Sequence, residues 1–299
     1  MIEVQSLYKS FGKEAILKDV SFHVQKGSIY GLLGSNGAGK TTLMRIIAGI
    51  LKQKNGHVRV LEEEVFDNER IKQKVVFLPD SLYFLPQYTT RQMADYYSKM
   101  YDSWDEERYQ KLKRLFQLDE KRKISQFSKG MQRQVAFWLA MSSMPDVLIL
   151  DEPFDGLDAV MRQKVRNVMI QDVAEREMTV LISSHNLREV EDVCDHVGIL
   201  HQGEILLERD LDDLKADVHK IQVAFQEEAF HPEASGLDIL HQEKRGSVFL
   251  LIVRGNEGDI SAEMKKHRPL VYDRLPLTLE EIFIYEMGGV GYAFENIIV

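Results

Sequence analysis

The segment "GSNGAGKTT", residues 34–42, constrains the fold of this chain more than any other feature. An apolar run, "SIYGLLG" at residues 28–34, predicts a strand before it, and a helical pattern follows from residue 40 to residue 50. Within it the pattern G-x-x-x-x-G-K-(S/T) is met by Gly34, Gly39, Lys40 and Thr41. A strand, a loop and a helix in this order are the context in which the motif predicts a phosphate-binding loop.

Each residue type in this loop has a chemical reason to be there. Glycines let backbone N–H groups surround phosphates, Lys40 would neutralise the β- and γ-phosphates, and the Thr41 hydroxyl would ligate Mg²⁺. The whole loop is therefore predicted to bind the nucleotide, through Gly34, Ser35, Asn36, Gly37, Ala38, Gly39, Lys40, Thr41 and Thr42. The alternative is a glycine turn that only leads into a helix, but it leaves the lysine unexplained.

Two carboxylates follow a second apolar run. "DVLILDEP", residues 146–153, predicts a buried strand that ends in Asp151 and Glu152. Ligands of α/β proteins bind at the carboxyl ends of strands, so Asp151 suits a Mg²⁺ contact, direct or through water. Glu152 suits orienting and deprotonating an attacking water. Alone, such a run could also be a strand that meets solvent.

His185 is the third candidate catalytic residue in this part of the chain. It ends the run "TVLISSH", residues 179–185, which predicts a further strand. We expect it to lie near Glu152 at the carboxyl end of the sheet and to contact a γ-phosphate. A purely structural histidine is the alternative.

Strands that alternate with helices predict an α/β fold with a mostly parallel core sheet. We place a nucleotide-binding domain at residues 1–213, including a helical subdomain at about residues 85–144, and a small α+β accessory domain at residues 214–299. The accessory domain is predicted to contain strands at 220–225 and 247–253 and helices at 259–267 and 277–289.

Composition excludes several classes of protein. The chain has 38 basic and 47 acidic residues, a net charge of −9, which argues against a nucleic-acid partner because such partners need a basic patch. Cys194 is the single cysteine, so no intrachain disulfide can form and a reducing compartment fits. Apolar runs such as "VAFWLAM", residues 135–141, are shorter than the ~18 residues that span a bilayer, so we expect no membrane crossing by this chain alone.

A second candidate anion site lies in "QFSKGMQRQVAF", residues 126–137, where Ser128 and Gly130 precede a predicted helix. This segment, the phosphate loop, "LILDEP" with "FDGLDA", and "ISSH" occur in an order and at intervals that resemble the nucleotide-binding subunits of ATP-binding cassette (ABC) transporters, over about residues 1–210. The segment "LPLTLEEIFIYEMGG", residues 275–289, resembles the tail of ABC-2-type exporter ATPases.

The resemblance implies a P-loop ABC ATPase fold with additional antiparallel β and helical subdomains, ATP and Mg²⁺ as cofactors, and a pair of subunits closed head to tail around two ATP molecules. In such a pair Ser128 and Gly130 would cap the γ-phosphate held by the second subunit. Asp158 matches the loop that crosses to the partner, and Phe11 matches the aromatic that stacks on adenine. A plain helix cap at "SKG" and a core aromatic at Phe11 are the alternatives.

The chain departs from the family pattern at two places. "FLPD" puts Asp80 where the family usually has glutamine, and aspartate can accept hydrogen bonds or approach Mg²⁺ but cannot donate. Asp80 is therefore a candidate catalytic residue and metal ligand whose role is open. "FSKGM" replaces the commoner "LSGGQ", keeps the serine and the second glycine, and adds the positive charge of Lys129.

The resemblance implies an ATPase subunit that powers export through a separate polytopic transmembrane partner, bound peripherally at the cytoplasmic face of the membrane. The helical insertion, residues 89–128 with aromatics around "YYSKMYDSW", is either the docking face or an ordinary core stripe. The alternatives are a soluble ABC ATPase that acts on ribosomes or DNA, and a nucleotide or small-molecule kinase. The cargo, and whether the subunit pairs with itself or a related ATPase, stay open.

Overall fold

The computed structural model describes residues 1–225 and 235–289. The chain divides into two compact units, Met1–Glu208 and Arg209–Val299. The predicted accessory domain at 214–299 includes residues 226–234 and 290–299, which lie outside the described residues.

Ten strands and seven helices are formed up to residue 210, together with one 3-10 turn at Ile124–Gln126. The strands are β1 (Ile2–Phe11), β2 (Glu14–Val24), β3 (Ile29–Leu33), β4 (Asn55–Val60), β5 (Glu63–Glu64), β6 (Val75–Leu78), β7 (Val147–Asp151), β8 (Thr179–Ser184), β9 (His196–His201) and β10 (Glu204–Asp210). The helices are α1 (Lys40–Ile47), α2 (Glu69–Lys72), α3 (Thr90–Met100), α4 (Glu106–Phe116), α5 (Lys129–Ser142), α6 (Ala159–Arg176) and α7 (Leu187–Glu191).

The core sheet has six strands in the order β10-β9-β3-β8-β7-β6, and the pairs β9/β3, β3/β8, β8/β7 and β7/β6 are parallel. Strands β3, β7 and β8 are buried along their whole length, as apolar strands covered on both faces should be. The predicted α/β fold with a mostly parallel core sheet is therefore confirmed.

The register of the core sheet sets the position of the site. Leu33 of β3 pairs with Ser184 of β8, and Asp151 of β7 pairs with Ser183 of β8. The segments that follow these three strands therefore leave the sheet at the same edge.

A second sheet, β2-β1-β4-β5, is antiparallel and shares one apolar core with the first. Its Ile2 and Val58 belong to the same buried cluster as Leu43 of α1 and Val147 of β7. Strand β4, the two-residue β5 and helix α6 are found only in the structure.

Helices α3, α4 and α5 form the helical insertion between β6 and β7. Trp138 of α5 is fully buried, stacks on Tyr109 of α4 at a ring-centroid distance of 4.6 Å, and donates from Nε1 to the Tyr109 carbonyl at 2.9 Å. In contrast, Tyr96 and Met100 of α3 are exposed. The aromatic side chains of the helical insertion therefore lie partly in an internal core and partly on the surface.

The second unit contains a four-stranded antiparallel sheet in the order β12-β13-β11-β14. Its core includes Ile221, Leu251, Ile260 and Met264. The elements are α8 (Leu211–Asp217), β11 (Val218–Ala224), β12 (Asp238–Arg245), β13 (Val248–Arg254), α9 (Glu257–Lys266), β14 (Val271–Leu275) and α10 (Leu279–Gly289). None of the helices within the described residues is long and apolar enough to cross a membrane.

We expect Trp138→Ala to lower the free energy of unfolding by about 3–5 kcal/mol, because it removes a buried ring and leaves a cavity between α4 and α5. Chemical denaturation followed by circular dichroism measures the change. The control, Tyr96→Ala on the exposed side of α3, should change it by less than about 0.5 kcal/mol. Equal effects of the two substitutions would contradict the assignment of Trp138 to the core of the helical insertion.

Candidate active site

The phosphate loop connects β3 to α1 and presents an open helix start. Gly39, the residue before α1, has φ +109°, and no side chain caps this helix. Side chains rarely adopt this φ, and a Cβ at Gly39 would also lie 3.2 Å from the Ile16 carbonyl oxygen, so glycine is favoured there. The first N–H groups of α1, which lack helical partners, and the positive end of its dipole are therefore available to an anion.

Lys40 is the cation of this loop. Its side chain is 6 % exposed, and Nζ donates to the carbonyl oxygens of Gly34 at 2.6 Å and Ser35 at 3.3 Å. Nζ also lies 3.3 Å from Glu152 Oε1. The amine is therefore positioned between the loop backbone and the carboxylate that follows β7.

Asp151 joins three segments of the site. Its side chain is buried and accepts from Thr41 Oγ1 at 2.7 Å through Oδ2 and from Ser183 Oγ at 2.6 Å through Oδ1. The Asp151 carboxylate and the Thr41 hydroxyl thus meet at the start of α1, and their predicted Mg²⁺ contacts stay predictions. Ser183, which was not predicted, fixes the orientation of the carboxylate.

Glu152 and His185 are in contact, as the expected position of His185 implies. His185 Nδ1 lies 3.0 Å from Glu152 Oε2, and the His185 backbone N–H donates to the same oxygen at 3.4 Å. Glu152 has φ +47°, a conformation that is uncommon for residues other than glycine and that concentrates at functional sites. Its N–H donates to Ser183 Oγ at 3.0 Å.

Lys40, Thr41, Asp151 and Glu152 line one cavity of about 440 Å³, whereas His185 and Ser183 are not part of its described lining. The lining residues are Glu14, Ile16, Ser35, Asn36, Gly37, Gly39, Lys40, Thr41, Thr42, Asp80, Asp151 and Glu152. Most of the predicted phosphate loop therefore faces the same space as the two carboxylates. Ala38 instead belongs to the apolar core, and Gly34 contributes its carbonyl to Lys40.

The hairpin of β1 and β2 forms one wall of this cavity. Glu14 and Ile16 of β2 line it, although no local motif marks either residue. Phe11 pairs with Glu14 across the hairpin, and its ring is 51 % exposed, so Phe11 is not the core aromatic that the sequence left as an alternative. Lys9 Nζ lies 5.1 Å from the centre of that ring.

Three predicted residues lie elsewhere. Ser128 caps α5 by accepting from the Met131 N–H at 3.2 Å, and Asp158 caps α6 by accepting from the Met161 N–H at 2.8 Å. Among the described residues, neither these two nor Gly130 is part of the cavity lining. The structure therefore does not bring them together with the phosphate loop of their own chain.

Gly130 has a packing role within its own chain. A Cβ at this position would lie 2.4 Å from the carbonyl oxygen of Gly156, in the loop that follows Glu152. The start of α5 thus packs against that loop at backbone distance. Sequence reasoning assigned Gly130 only to the partner's nucleotide and missed this contact.

Asp80 contacts a residue that sequence reasoning missed. Arg133 of α5 donates from Nη2 to the Asp80 carbonyl at 2.9 Å and to Asp80 Oδ1 at 3.0 Å, and from Nη1 to the carbonyl of Glu152. The sequence feature that could have pointed to this contact is a basic residue, Arg133, one helical turn after Gly130. The roles predicted for Asp80, catalytic group and metal ligand, stay predictions.

Glu189 is a further acidic residue near the site. Its side chain is buried, accepts from Ser184 Oγ at 3.1 Å and lies 3.3 Å from Arg162 Nη1. Burial raises the pKa of Glu189; the bond from Ser184 and the charge of Arg162 act against the rise, and Asp155 and Glu152 add to it. Glu189 thus links α7, which follows His185, to α6.

Comparison with known proteins identifies the family. The family model described as "ABC transporter" matches residues 17–155. The chain is 32 % identical to the ABC transporter ATP-binding protein YtrB of Bacillus subtilis (strain 168) over 289 residues, 97 % of this chain and 99 % of that protein. The chain belongs to the ABC transporter family.

Two further similarities agree with this family. The bacitracin transport ATP-binding protein BcrA of Bacillus licheniformis is 29 % identical over 304 residues, 97 % of this chain and 98 % of the relative. A solved structure described as the ATP-binding subunit of an ABC transporter matches with a TM-score of 0.67 at 28 % identity, covering 72 % of this chain and 92 % of the other. As a member of the family, this chain is an ATP-binding and ATP-hydrolysing ABC transporter subunit.

We expect Lys40→Ala to weaken nucleotide binding about 10- to 100-fold, because it removes a charge-assisted contact worth roughly 1.5–3 kcal/mol. Titration with a fluorescent ATP analogue measures the affinity. The control, Lys26→Ala, removes a lysine whose side chain is 59 % exposed and paired with Glu177, away from the cavity, and should leave the affinity unchanged. Unchanged affinity of Lys40→Ala would contradict the placement of the phosphates at this loop.

Proposed function

We propose that this chain drives substrate export by closing head to tail with a second nucleotide-binding subunit around two ATP molecules. The observation that carries the proposal is that the predicted site residues fall into two groups, one inside the cavity and one outside it. The phosphate loop, Asp151 and Glu152 share one cavity, whereas Ser128, Gly130 and Asp158 are absent from its described lining. Ser128 and Asp158 are exposed, so a second subunit can reach them.

The cavity supports the chemistry of phosphoryl transfer to water. The N–H groups at the start of α1 and Lys40 would bind the β- and γ-phosphates. Glu152 would accept a proton from the attacking water while a bond forms from the water oxygen to the γ-phosphorus and the bond from that phosphorus to the ADP oxygen breaks. The contact at 3.0 Å between His185 Nδ1 and Glu152 Oε2 would hold the carboxylate in one orientation.

Mg²⁺ fits the oxygen atoms next to α1. Thr41 Oγ1 and Asp151 Oδ2 are 2.7 Å apart, and both are hard oxygen donors. Within the described residues no group of three or more His, Cys, Asp or Glu side chains could hold a metal by itself. This agrees with Mg²⁺, which binds through one or two protein ligands and the substrate's phosphate oxygens, and which neutralises phosphate charge when bound.

Adenine recognition is proposed for Phe11. The ring is half exposed at the end of β1, opposite Glu14, which lines the cavity. An exposed aromatic next to a nucleotide site can stack on a base. Tyr8, three residues earlier on β1 and 39 % exposed, is the less favoured substitute.

Docking to a transmembrane subunit is proposed for the exposed face of α3. Tyr96 and Met100 are 44 % and 43 % exposed and lie four residues apart, so they share one helix face. Such a partner would place the chain at the cytoplasmic side of a membrane and would determine the cargo. The relative named for bacitracin transport supports a role in transport. The net charge of −9 and the single set of ABC motifs disfavour action on ribosomes or DNA.

We expect Glu152→Gln to bind ATP, to lower kcat at least about 100-fold through loss of the base, and to accumulate as a dimer with MgATP. Light scattering after size exclusion measures the dimer. The double variant Glu152→Gln/Ser128→Arg should bind ATP as a monomer, because the added side chain occupies the interface at the start of α5. A monomeric Glu152→Gln protein at saturating MgATP would contradict the shared site.

We expect Tyr96→Ala/Met100→Ala to reduce binding to membranes that contain the transmembrane subunit at least about tenfold, because hot-spot side chains carry most interface energy. ATP hydrolysis by the subunit alone should not change. Co-sedimentation measures binding. Ile170→Ala on α6, a residue 43 % exposed, is the matched control. Unchanged membrane binding of the α3 variant would exclude this face as the docking surface.

A further inference from the structure

Arg133 contacts two loops of the active site from the second turn of α5. Its side chain is only 12 % exposed, and its guanidinium donates to the carbonyl of Glu152, the carbonyl of Asp80 and Asp80 Oδ1. Arginine presents planar donors in a fixed geometry, so acceptors that bind it together are held relative to one another. Arg133 therefore fixes the segment after β6 against the segment after β7.

The carbonyl that Arg133 binds belongs to a residue whose backbone is strained. Glu152 has φ +47°, and a conformation of this kind persists where surrounding contacts enforce it. Ser183 Oγ accepts from the Glu152 N–H at 3.0 Å, and Arg133 binds the carbonyl on the other side. Both flanking peptide groups of Glu152 are thus held, and the direction of its carboxylate depends on them.

A second contact joins the start of α5 to the same loop. Gly130 approaches the Gly156 carbonyl so closely that a Cβ would lie 2.4 Å from it. Ser128 and Gly130, the residues proposed to meet the partner's nucleotide, belong to the turn that makes this contact. The beginning of α5 and the loop of Glu152 are therefore connected at Gly130 and at Arg133.

We infer that Arg133 is a positioning residue for ATP hydrolysis: it ties α5 to the Glu152 backbone of the same chain, and Asp80 anchors it there. The inference rests on the proposed function, in which the start of α5 binds the γ-phosphate of the nucleotide held by the partner subunit. A displacement of that helix start would then reach Glu152, the proposed base, in the chain that carries the helix. Asp80 then acts through a side chain of α5, and its place in the cavity wall does not require it to ligate a metal.

The experiment measures kcat at saturating MgATP, the affinity for a fluorescent ATP analogue, and the thermal unfolding midpoint for each variant. Arg133→Gln should lower kcat about 10- to 100-fold, since a misplacement of 1 Å in a catalytic group can cost about 100-fold. Its nucleotide affinity should stay within about twofold of the unmodified chain, because Arg133 does not line the cavity. Arg133→Lys should recover part of kcat, since one amine reaches fewer acceptors than the guanidinium.

Asp80→Asn keeps the result interpretable if Arg133 variants fold poorly, because the Asp80 side chain is 57 % exposed. It removes the charge and leaves the backbone acceptor, so a smaller loss of kcat, about 3- to 10-fold, is expected. Asp192→Asn is the matched control: Asp192 is 55 % exposed and pairs with Arg166, which is 13 % exposed. Equal effects of Asp80→Asn and Asp192→Asn would overturn the inference.

The charge exchange Asp80→Arg/Arg133→Asp separates the two contacts of Arg133. It restores an ion pair but leaves the Glu152 carbonyl without a donor, so kcat should remain low. Recovery of the original kcat would show that only the ion pair matters. Unchanged kcat in Arg133→Gln, or a loss of kcat matched by an equal loss of nucleotide affinity, would likewise overturn the positioning role.

Glu152→Gln in the same assay separates this inference from the proposed function. If Glu152→Gln turns over ATP normally, the proposed mechanism fails whatever Arg133 does. If Glu152→Gln is inactive and Arg133→Gln is fully active, only the positioning role of Arg133 fails. The double variant Glu152→Gln/Arg133→Gln should still dimerise with MgATP, and its failure to do so would mean that Arg133 shapes the interface instead.

Discussion

The hydrogen bonds of Asp151 hold the active site together. Its two carboxylate oxygens bind Thr41, at the start of α1, and Ser183, at the end of β8. The bond to Ser183 depends on the parallel register that places Asp151 opposite Ser183. Because Asp151 is buried, a carboxylate oxygen without a hydrogen-bond partner would be destabilising. The segments that carry Thr41, Asp151 and Ser183 therefore cannot separate without losing these hydrogen bonds. The phosphate loop and Glu152 thus take their relative position from the core sheet.

Two basic side chains lie beside the acidic residues of the cavity, although the protein as a whole is acidic. The chain has a net charge of −9, yet Lys40 and Arg133 are both nearly buried beside the acidic residues of the cavity. Lys40 lies 3.3 Å from Glu152 Oε1, within ion-pair distance, although that oxygen has no hydrogen-bond partner among the described residues. A triphosphate would enter next to this amine. Lys40 therefore lies between the Glu152 carboxylate and the uncapped N–H groups at the start of α1.

How much the sequence predicts depends on whether a residue's partner is local. The phosphate loop is one continuous motif, and the meeting of His185 with Glu152 follows from the rule that parallel strands end at one edge. The residues of the cavity walls cannot be predicted in this way, because the β1–β2 hairpin brings Glu14 to the cavity from a distant part of the sequence. Arg133 is hidden for the same reason, because its partners lie 53 and 19 residues away in sequence.

The aspartate at position 80 and the arginine at position 133 are consistent with each other. Glutamine, usual at the first position in this family, is neutral and can both donate and accept, whereas aspartate only accepts and carries a charge. A carboxylate at this position is held in one orientation where a cation lies beside it. Arg133 provides that cation from α5. The substitution that looks like a defect in the motif therefore creates a charged connection between α5 and the loop of Glu152, and a neutral glutamine would make a weaker one.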